Sequence, residues 1–156
     1  MIFKLQQIKI IREQKASTEL AKAKQQKLDA EQLLAGCRTE LEQYMIWQQE
    51  EIKKRYQEII GSQMKMDELS DFNHEISGYK IKQAELEQDI EQAQQALERQ
   101  IQALQQAENA CAYAQKQCQK YSELTRIESA QQQKLANLEE DQALDDFKVQ
   151  TPVAMT

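Results

Sequence analysis

A regular ladder of side chains along the second half of the chain restricts the fold more than any other feature. Its spacing alternates between three and four residues and averages 3.5, which keeps the side chains in one stripe along a slightly underwound helix. Most of the positions are apolar, and the residues between them are mostly Gln, Glu, Lys and Ala. The stripe is too narrow to bury itself, so this helix needs a second helix as its partner. The ladder consists of Ile76, Tyr79, Gln83, Leu86, Ile90, Ala93, Leu97, Gln100, Leu104, Ala107, Cys111, Ala114, Cys118, Tyr121, Thr125, Glu128, Gln132 and Leu135.

The composition excludes an ordinary globular domain. The 156 residues include one Pro and three Gly, so the chain can build few turns and has few elements. No segment approaches the ~18 uninterrupted apolar residues of a membrane span, and the first residues lack the apolar core and cleavage site of a secretory signal. Cys111 and Cys118 lie seven positions apart, about 10.5 Å along a helix, which is too far for a disulfide. A reducing, cytoplasmic environment is therefore expected.

Two helices are predicted, joined by a short break. Helix 1 is expected over residues 3–60, a turn over 61–70, helix 2 over 71–147 and a flexible tail over 148–156. Gly61 is predicted to end helix 1 in the left-handed conformation, and Ser70 or Asp71 to cap the start of helix 2. Gly36, inside helix 1, is interpreted as a close-packing or bending point.

Helix 1 carries its own ladder, which allows it to be the partner of helix 2. Past Tyr44 the register is expected to fail at Gln48 and to resume, shifted, with Ile52, Tyr56 and Ile59. The ladder up to that point consists of Ala16, Leu20, Ala23, Lys27, Ala30, Leu34, Cys37, Leu41 and Tyr44.

The predicted fold is all-α: a long two-helix antiparallel coiled-coil hairpin that forms one domain over residues 1–150. Folding back buries both ladders within one chain, and each helix would be ~80–110 Å long. The predicted pairing places Leu41 near Leu97 and Leu20 near Cys118. Residues 1–28 carry seven basic and two acidic side chains, whereas residues 135–156 carry one basic and five acidic ones. The basic start is therefore expected beside the acidic end of helix 2.

The sequence offers no arrangement typical of catalysis. His74 is the only histidine, and without a second histidine or a nearby cysteine a solvated turn residue is favoured over a metal ligand. No glycine-rich phosphate loop and no nucleophile with a base is recognisable, and two helices alone form no water-excluding pocket. A net charge of −6 argues against nucleic acid as the main ligand. We predict no enzymatic activity, no cofactor and no metal.

The first fifteen residues mix apolar and basic side chains around the whole circumference of a helix. A helix lying on a membrane separates these two kinds of side chain into opposite faces. The mixture is instead typical of a helix end enclosed by another protein, and the alternative is a frayed terminus covered by helix 2. The apolar residues are Ile2, Phe3, Leu5, Ile8, Ile10 and Ile11, and the basic ones Lys4, Lys9, Arg12 and Lys15.

Aromatic residues concentrate near the predicted turn, and some of them are expected to be exposed. Phe72, Ile76 and Tyr79 share one helix face by their spacing. Exposed apolar side chains rimmed by charge often mark a docking site. Packing between the helices explains Tyr44, Ile76 and Tyr79 equally well, so Trp47 and Phe72 are the better candidates for contact with a partner.

The chain resembles the YscO family of small stalk proteins of type III secretion, and their flagellar relative FliJ. The resemblance covers most of the chain and includes the two-helix layout without a globular part. Members of the family form an antiparallel coiled-coil hairpin similar to the γ subunit of rotary ATPases. The matching run is Leu5-x-x-Ile8-x-x-Ile11-Arg12, followed by Ala16, Leu20, Ala23, Ala30 and Leu34.

The resemblance implies partners and a position in the cell. The paired termini would enter a hexameric secretion ATPase and promote its assembly and activity, while the rest reaches the membrane export gate and, in some members, secretion chaperones. The protein would be cytoplasmic and peripheral at the secretion apparatus, without nucleic acid and without direct membrane insertion. The implied ATPase-binding residues are Lys4, Leu5, Ile8, Lys9, Arg12 and Lys15, and those for the export gate or a chaperone are Tyr44, Trp47, Phe72, Ile76 and Tyr79.

Two alternatives from other classes stay open. One is a holdase or chaperone-escort coiled coil whose apolar end clasps unfolded clients. The other is a plain structural coiled-coil dimer. Stimulation of an ATPase separates the stalk from both, and suppression of client aggregation identifies the holdase.

Overall fold

The computed structural model describes residues 1–61 and 66–150, with side chains up to residue 148. Within these ranges it contains two helices and no strand: α1 runs over Ile2–Ile60 and α2 over Met66–Gln150. The all-α hairpin predicted from the ladders is confirmed. Contacts group the residues into two compact units. We call residues 1–19 with α2 from Glu108 onward the terminal unit, and Leu20–Ala107 the central unit.

Both ladders are the positions at which the helices pack. Leu34, Leu86 and Ala93 are among the most buried side chains of the central unit, as Ala16 and Cys111 are in the terminal unit. All positions of the second ladder from Ile76 to Glu128 are buried or half-buried, whereas the last two are exposed. The core is a thin line of mostly small side chains, because two helices can shield only the stripe between them.

The ladder of α1 was expected to fail at Gln48, but it continues through this residue. Gln48 is buried, and the stripe continues through Glu51 and Arg55, which are half-buried. Of the residues expected to resume the ladder, Ile52 and Ile59 are half-buried, whereas Tyr56 is 57% exposed. Arg55 occupies the position instead, because its guanidinium reaches Glu75 across the helix pair at 3.4 Å and Glu51 on its own helix at 3.6 Å. Long charged side chains can bury their aliphatic stems in this way while their charged ends stay paired and partly hydrated.

The pairing between the helices differs by one heptad from the two predicted pairs. Leu41 lines a groove with Ile90, which lies one heptad nearer the turn than the expected Leu97. Cys118 contacts Glu13, also one heptad away from its expected partner Leu20. The reason is the connection between the helices, which is shorter than predicted and therefore brings earlier parts of α2 opposite each part of α1.

The start of α2 explains the shorter connection. The helix begins at Met66, so Ser70 and Asp71 lie inside it and do not cap its start. Asp67 and Glu68 occupy the first turn, where negative charge interacts favourably with the helix dipole. The remaining residues of the connection, 62–65, lie outside the described residues.

The ends of both helices also differ from the prediction. Gly61 follows the last residue of α1, but its φ is not positive, and its amide donates to the Gln57 carbonyl at 3.2 Å as in a continuing helix. The predicted left-handed cap is therefore wrong. Residues 148–150, assigned to a flexible tail, continue α2. The rest of that predicted tail, 151–156, lies outside the described residues.

Replacing Gly36 by Ala should stabilise the protein. A Cβ atom there would meet nothing within 4 Å, and the same holds at Gly78, so the interpretation of Gly36 as a close-packing point is wrong. Gly36→Ala and Gly78→Ala should each raise the free energy of unfolding by about 0.5–1 kcal/mol, because glycine loses more backbone entropy in a helix than alanine. Urea denaturation followed by helical circular dichroism measures this. Gly61→Ala, just past the end of α1, is the matched control with little expected effect; destabilisation at Gly36 would contradict the argument.

Candidate protein-binding surfaces

The first turns of α1 direct polar side chains toward α2 and leave large apolar ones exposed. The heptad spacing continues upstream of Ala16 through Glu13, Lys9 and Gln6, which are half-buried. Phe3 and Ile11 are each 62% exposed, and Leu5 and Ile8 also lie in solvent. Cover by helix 2, the alternative considered for this segment, is therefore wrong for these four apolar residues. Ile2 and Ile10 are half-buried as well, so the stripe facing α2 mixes polar and apolar side chains, unlike the apolar stripe of an ordinary amphipathic helix.

Five of the six predicted ATPase-binding residues lie on one side of α1. Lys4, Ile8 and Lys15 recur at helical spacing, and Leu5 and Arg12 are their neighbours on the same surface. All five are exposed. Ile11 belongs to this surface as well, which its position three residues after Ile8 indicates. We call these six residues the basic–apolar face: Lys4, Leu5, Ile8, Ile11, Arg12 and Lys15.

Lys9 is the exception among the predicted residues. It is half-buried, and its ammonium nitrogen lies 5.2 Å from the ring centroid of Tyr121 on α2. A cation at this distance over an aromatic face is attracted by about 0.5–1 kcal/mol when partly exposed. The contact makes Lys9 part of the packing between the helices.

The acidic end of α2 was expected beside the basic start of α1, but it does not lie there. Since Lys9 lies over Tyr121, the beginning of α1 reaches α2 at about Glu128. From residue 129 to residue 148 every side chain of α2 is exposed, and this segment, the α2 extension, contains the acidic residues. The reason is length: α2 has 85 residues and α1 has 59. The extension also exposes large apolar residues, among them Leu135, Leu138 and Leu144.

Three of the predicted gate-contacting residues form an aromatic cluster: Tyr44, Trp47 and Tyr79. The ring centroids of Tyr44 and Trp47 lie 5.5 Å apart, and those of Trp47 and Tyr79 lie 5.2 Å apart with edge-to-face geometry. The Tyr44 hydroxyl donates to the Tyr79 carbonyl at 3.3 Å. Burial, and to a lesser extent Tyr79, raises the pKa of Tyr44, so its hydroxyl keeps the donated proton at neutral pH. The two tyrosines thereby hold Trp47, which is 45% exposed.

The other two predicted residues lie elsewhere. Ile76 is a half-buried ladder position. Phe72 lines a concave surface that Trp47 does not reach, so the two favoured candidates for partner contact belong to different surfaces. We call this concavity the turn-side cleft; it is lined by Arg55, Glu58, Ile59, Glu68, Asp71, Phe72 and Glu75.

The cysteines are free and placed as small packing residues. Cys111 is buried with its thiol 3.9 Å from the Ser17 hydroxyl. A hydrogen bond with Glu13, followed by burial and the Glu13 charge, raises the pKa of Cys118, which lowers its reactive thiolate fraction. Among the described residues, no three His, Cys, Asp or Glu side chains converge as a metal site, and no helix is long and apolar enough to cross a membrane.

Replacing Cys37, Cys111 and Cys118 together by Ala should leave partner binding intact. Small core replacements of similar size cost less than about 1.5 kcal/mol each, and the largest loss is expected at Cys111. Thermal unfolding and co-purification of cellular partner proteins measure the two effects. A triple variant that keeps its helicity but no longer binds would reveal thiol chemistry at one of these positions.

Comparison with known proteins gives two matches. A family model described as type III secretion protein YscO matches residues 2–150. The fold is similar to the crystal structure of the type III secretion protein YscO from Vibrio parahaemolyticus, with a TM-score of 0.87 and 24% sequence identity over 94% of this chain and 92% of that chain. At this identity the structural match supports the fold alone. Among curated proteins, none matches.

Proposed function

Because this chain belongs to the YscO family of type III secretion proteins, we propose that it is a non-enzymatic stalk between a hexameric secretion ATPase and the export gate. The terminal unit enters the ATPase ring and promotes its assembly and activity. The central unit contacts the membrane-embedded gate or a secretion chaperone. The protein acts in the cytoplasm at the periphery of the secretion apparatus.

The observation that carries the ATPase contact is the basic–apolar face. Fully burying a large aliphatic side chain contributes about 1.5–3 kcal/mol, so a ring that encloses Leu5, Ile8 and Ile11 gains from each of them. The interleaved cations Lys4, Arg12 and Lys15 add electrostatic steering toward an acidic or carbonyl-lined channel. Lys9 supports the contact indirectly, because it packs on Tyr121 and holds the start of α1 against α2.

The α2 extension provides the second half of the same contact. It lies beyond the start of α1 and exposes Leu135 and Leu138 beside several carboxylates. A single helix in water gains little from propensity alone, and enclosure by a ring would supply the missing packing. Ring insertion thus accounts for exposed apolar side chains on both helices of the terminal unit.

The contact with the gate or a chaperone is assigned to the aromatic cluster. Trp47 presents an exposed indole whose orientation is fixed by Tyr44 and Tyr79. Tryptophan and tyrosine dominate the binding energy of many protein interfaces, because rigid rings bury a large area at low entropic cost. Phe72 and Ile76 lie nearer the turn, and we assign them to the same contact with the gate or a chaperone.

ATP hydrolysis by the purified cognate ATPase, with and without the chain, tests the proposal. Stimulation at stoichiometric concentration is expected, and light scattering of the chain alone should give the monomer mass of 18.2 kDa. No stimulation, combined with suppressed aggregation of an unfolded client, would identify a holdase. No stimulation, combined with twice the monomer mass, would identify a structural dimer.

A further inference from the structure

We propose that the turn-side cleft binds a peptide segment of a partner protein in which a large apolar side chain is flanked by Lys or Arg. The apolar residues that line the cleft are Ile59 and Phe72, which are both half-buried. The cleft has a volume of about 340 Å³, at the small end of the range for ligand pockets. It therefore suits one or two side chains of an extended segment.

The charged residues that line the cleft indicate which charge the bound segment should carry. Four carboxylates line it, from Glu58, Glu68, Asp71 and Glu75, against the single guanidinium of Arg55. Arg55 is already engaged, since it contacts Glu75 at 3.4 Å and Glu51, outside the cleft, at 3.6 Å. Glu68 and Asp71 therefore leave an excess of negative charge beside Ile59 and Phe72, and a basic segment is its electrostatic complement.

Helix stability explains only part of this charge. Glu68 lies in the first turn of α2, where a carboxylate stabilises the helix through its dipole. Asp71 and Glu75 lie one and two turns further along, and the dipole effect fades beyond the first turn. Glu75 is explained by its pairing with Arg55, whereas Asp71 is accounted for by recognition of a basic partner.

The inference goes beyond the proposed ATPase contact and, through Phe72, specifies the chemistry of the proposed gate or chaperone contact, on which it rests. Neither the basic–apolar face nor Trp47 lines the cleft, so loss of binding at the cleft and loss of ATPase stimulation are separate outcomes. The occupant is a segment of a partner protein. The start of a second copy of this chain, which is also basic and apolar, is the competing occupant that the experiment must exclude.

The test uses the full chain and a fluorescein-labelled peptide of alternating Leu and Lys, with binding followed by fluorescence anisotropy. Phe72→Ala and the double variant Glu68→Gln with Asp71→Asn should each weaken binding by about tenfold or more, equivalent to about 1.4 kcal/mol. Neutral amides are chosen because they preserve size and disturb α2 least; circular dichroism confirms the helix content. The matched control neutralises two exposed carboxylates elsewhere on α2, Glu91→Gln with Glu98→Gln, and should bind like the wild type.

Four results would overturn the inference. They are absence of binding to the wild-type chain, equal binding of a peptide with Gln in place of Lys, equal loss in the Glu91 and Glu98 control, and unchanged binding by the Phe72 variant. Concentration-dependent self-association that disappears with Phe72→Ala would assign the cleft to a second copy instead. Peptide binding that is lost in the cleft variants, with ATPase stimulation retained, supports the inference independently of the stalk function.

Discussion

Reversing Lys4, Lys9, Arg12 and Lys15 to Glu together should abolish stimulation of the secretion ATPase and weaken binding to it sharply. Exposed ion pairs contribute only about 0–1 kcal/mol each, so single substitutions should have small effects and the combined reversal a large one. The helix content should stay nearly intact, since the buried ladder begins at Ala16. ATP hydrolysis and pull-down with the cognate ATPase measure the two effects.

Lys9 is half-buried whereas the other three cations are exposed, so the two kinds of position can be tested separately. Reversal of Lys4, Arg12 and Lys15 alone changes only exposed positions and should remove most of the stimulation. Lys9→Glu alone loses the contact with Tyr121 and should mainly loosen the start of α1. A matched control reverses Lys22, Lys24 and Lys53, which are exposed outside the terminal unit. Ring insertion fails as a model if the quadruple variant stimulates like the wild type, or if the control loses as much.

Replacing Trp47 and Phe72 by Ala should impair secretion in cells while sparing ATPase stimulation. Truncation of an exposed aromatic residue at the centre of an interface commonly costs 2 kcal/mol or more, about a 30-fold loss of affinity. The single variants Trp47→Ala and Phe72→Ala test different surfaces, because Trp47 belongs to the aromatic cluster and Phe72 to the turn-side cleft. Secreted protein in the culture medium and ATP hydrolysis in vitro are the measurements.

Two further variants distinguish the loss of a specific contact from a purely structural effect of the substitutions. Trp47→Phe keeps an aromatic ring beside Tyr79 and should retain most of the secretion. Tyr56→Ala removes an aromatic side chain that is 57% exposed and belongs to neither surface, so secretion should be normal. If Tyr56→Ala reduces secretion as much as Trp47→Ala, the aromatic cluster is not a specific contact.

The local features of this protein follow from its sequence. A spacing of 3.5 residues between apolar side chains is a helix signal that needs no knowledge of the partner, and the scarcity of Gly and Pro limits the number of helices. The ladder from Ile76 to Glu128 is buried or half-buried throughout. The mixture of residue types around the first turns of α1 also indicated a segment enclosed by another protein, and the family resemblance selected Lys4, Leu5, Ile8, Lys9, Arg12 and Lys15, of which all but Lys9 are exposed.

The relative placement of the helices was decided by tertiary structure. A heptad repeat offers similar packing at every shift of seven residues, so the ladders alone do not choose the partner of Leu41. The length of the connection makes that choice, and the start of α2 at Met66 brings Ile90 opposite. The greater length of α2 carries its acidic end past the start of α1. A cross-helix contact also allows Arg55 into the stripe, because the Arg55–Glu75 pair exists only once the two helices meet.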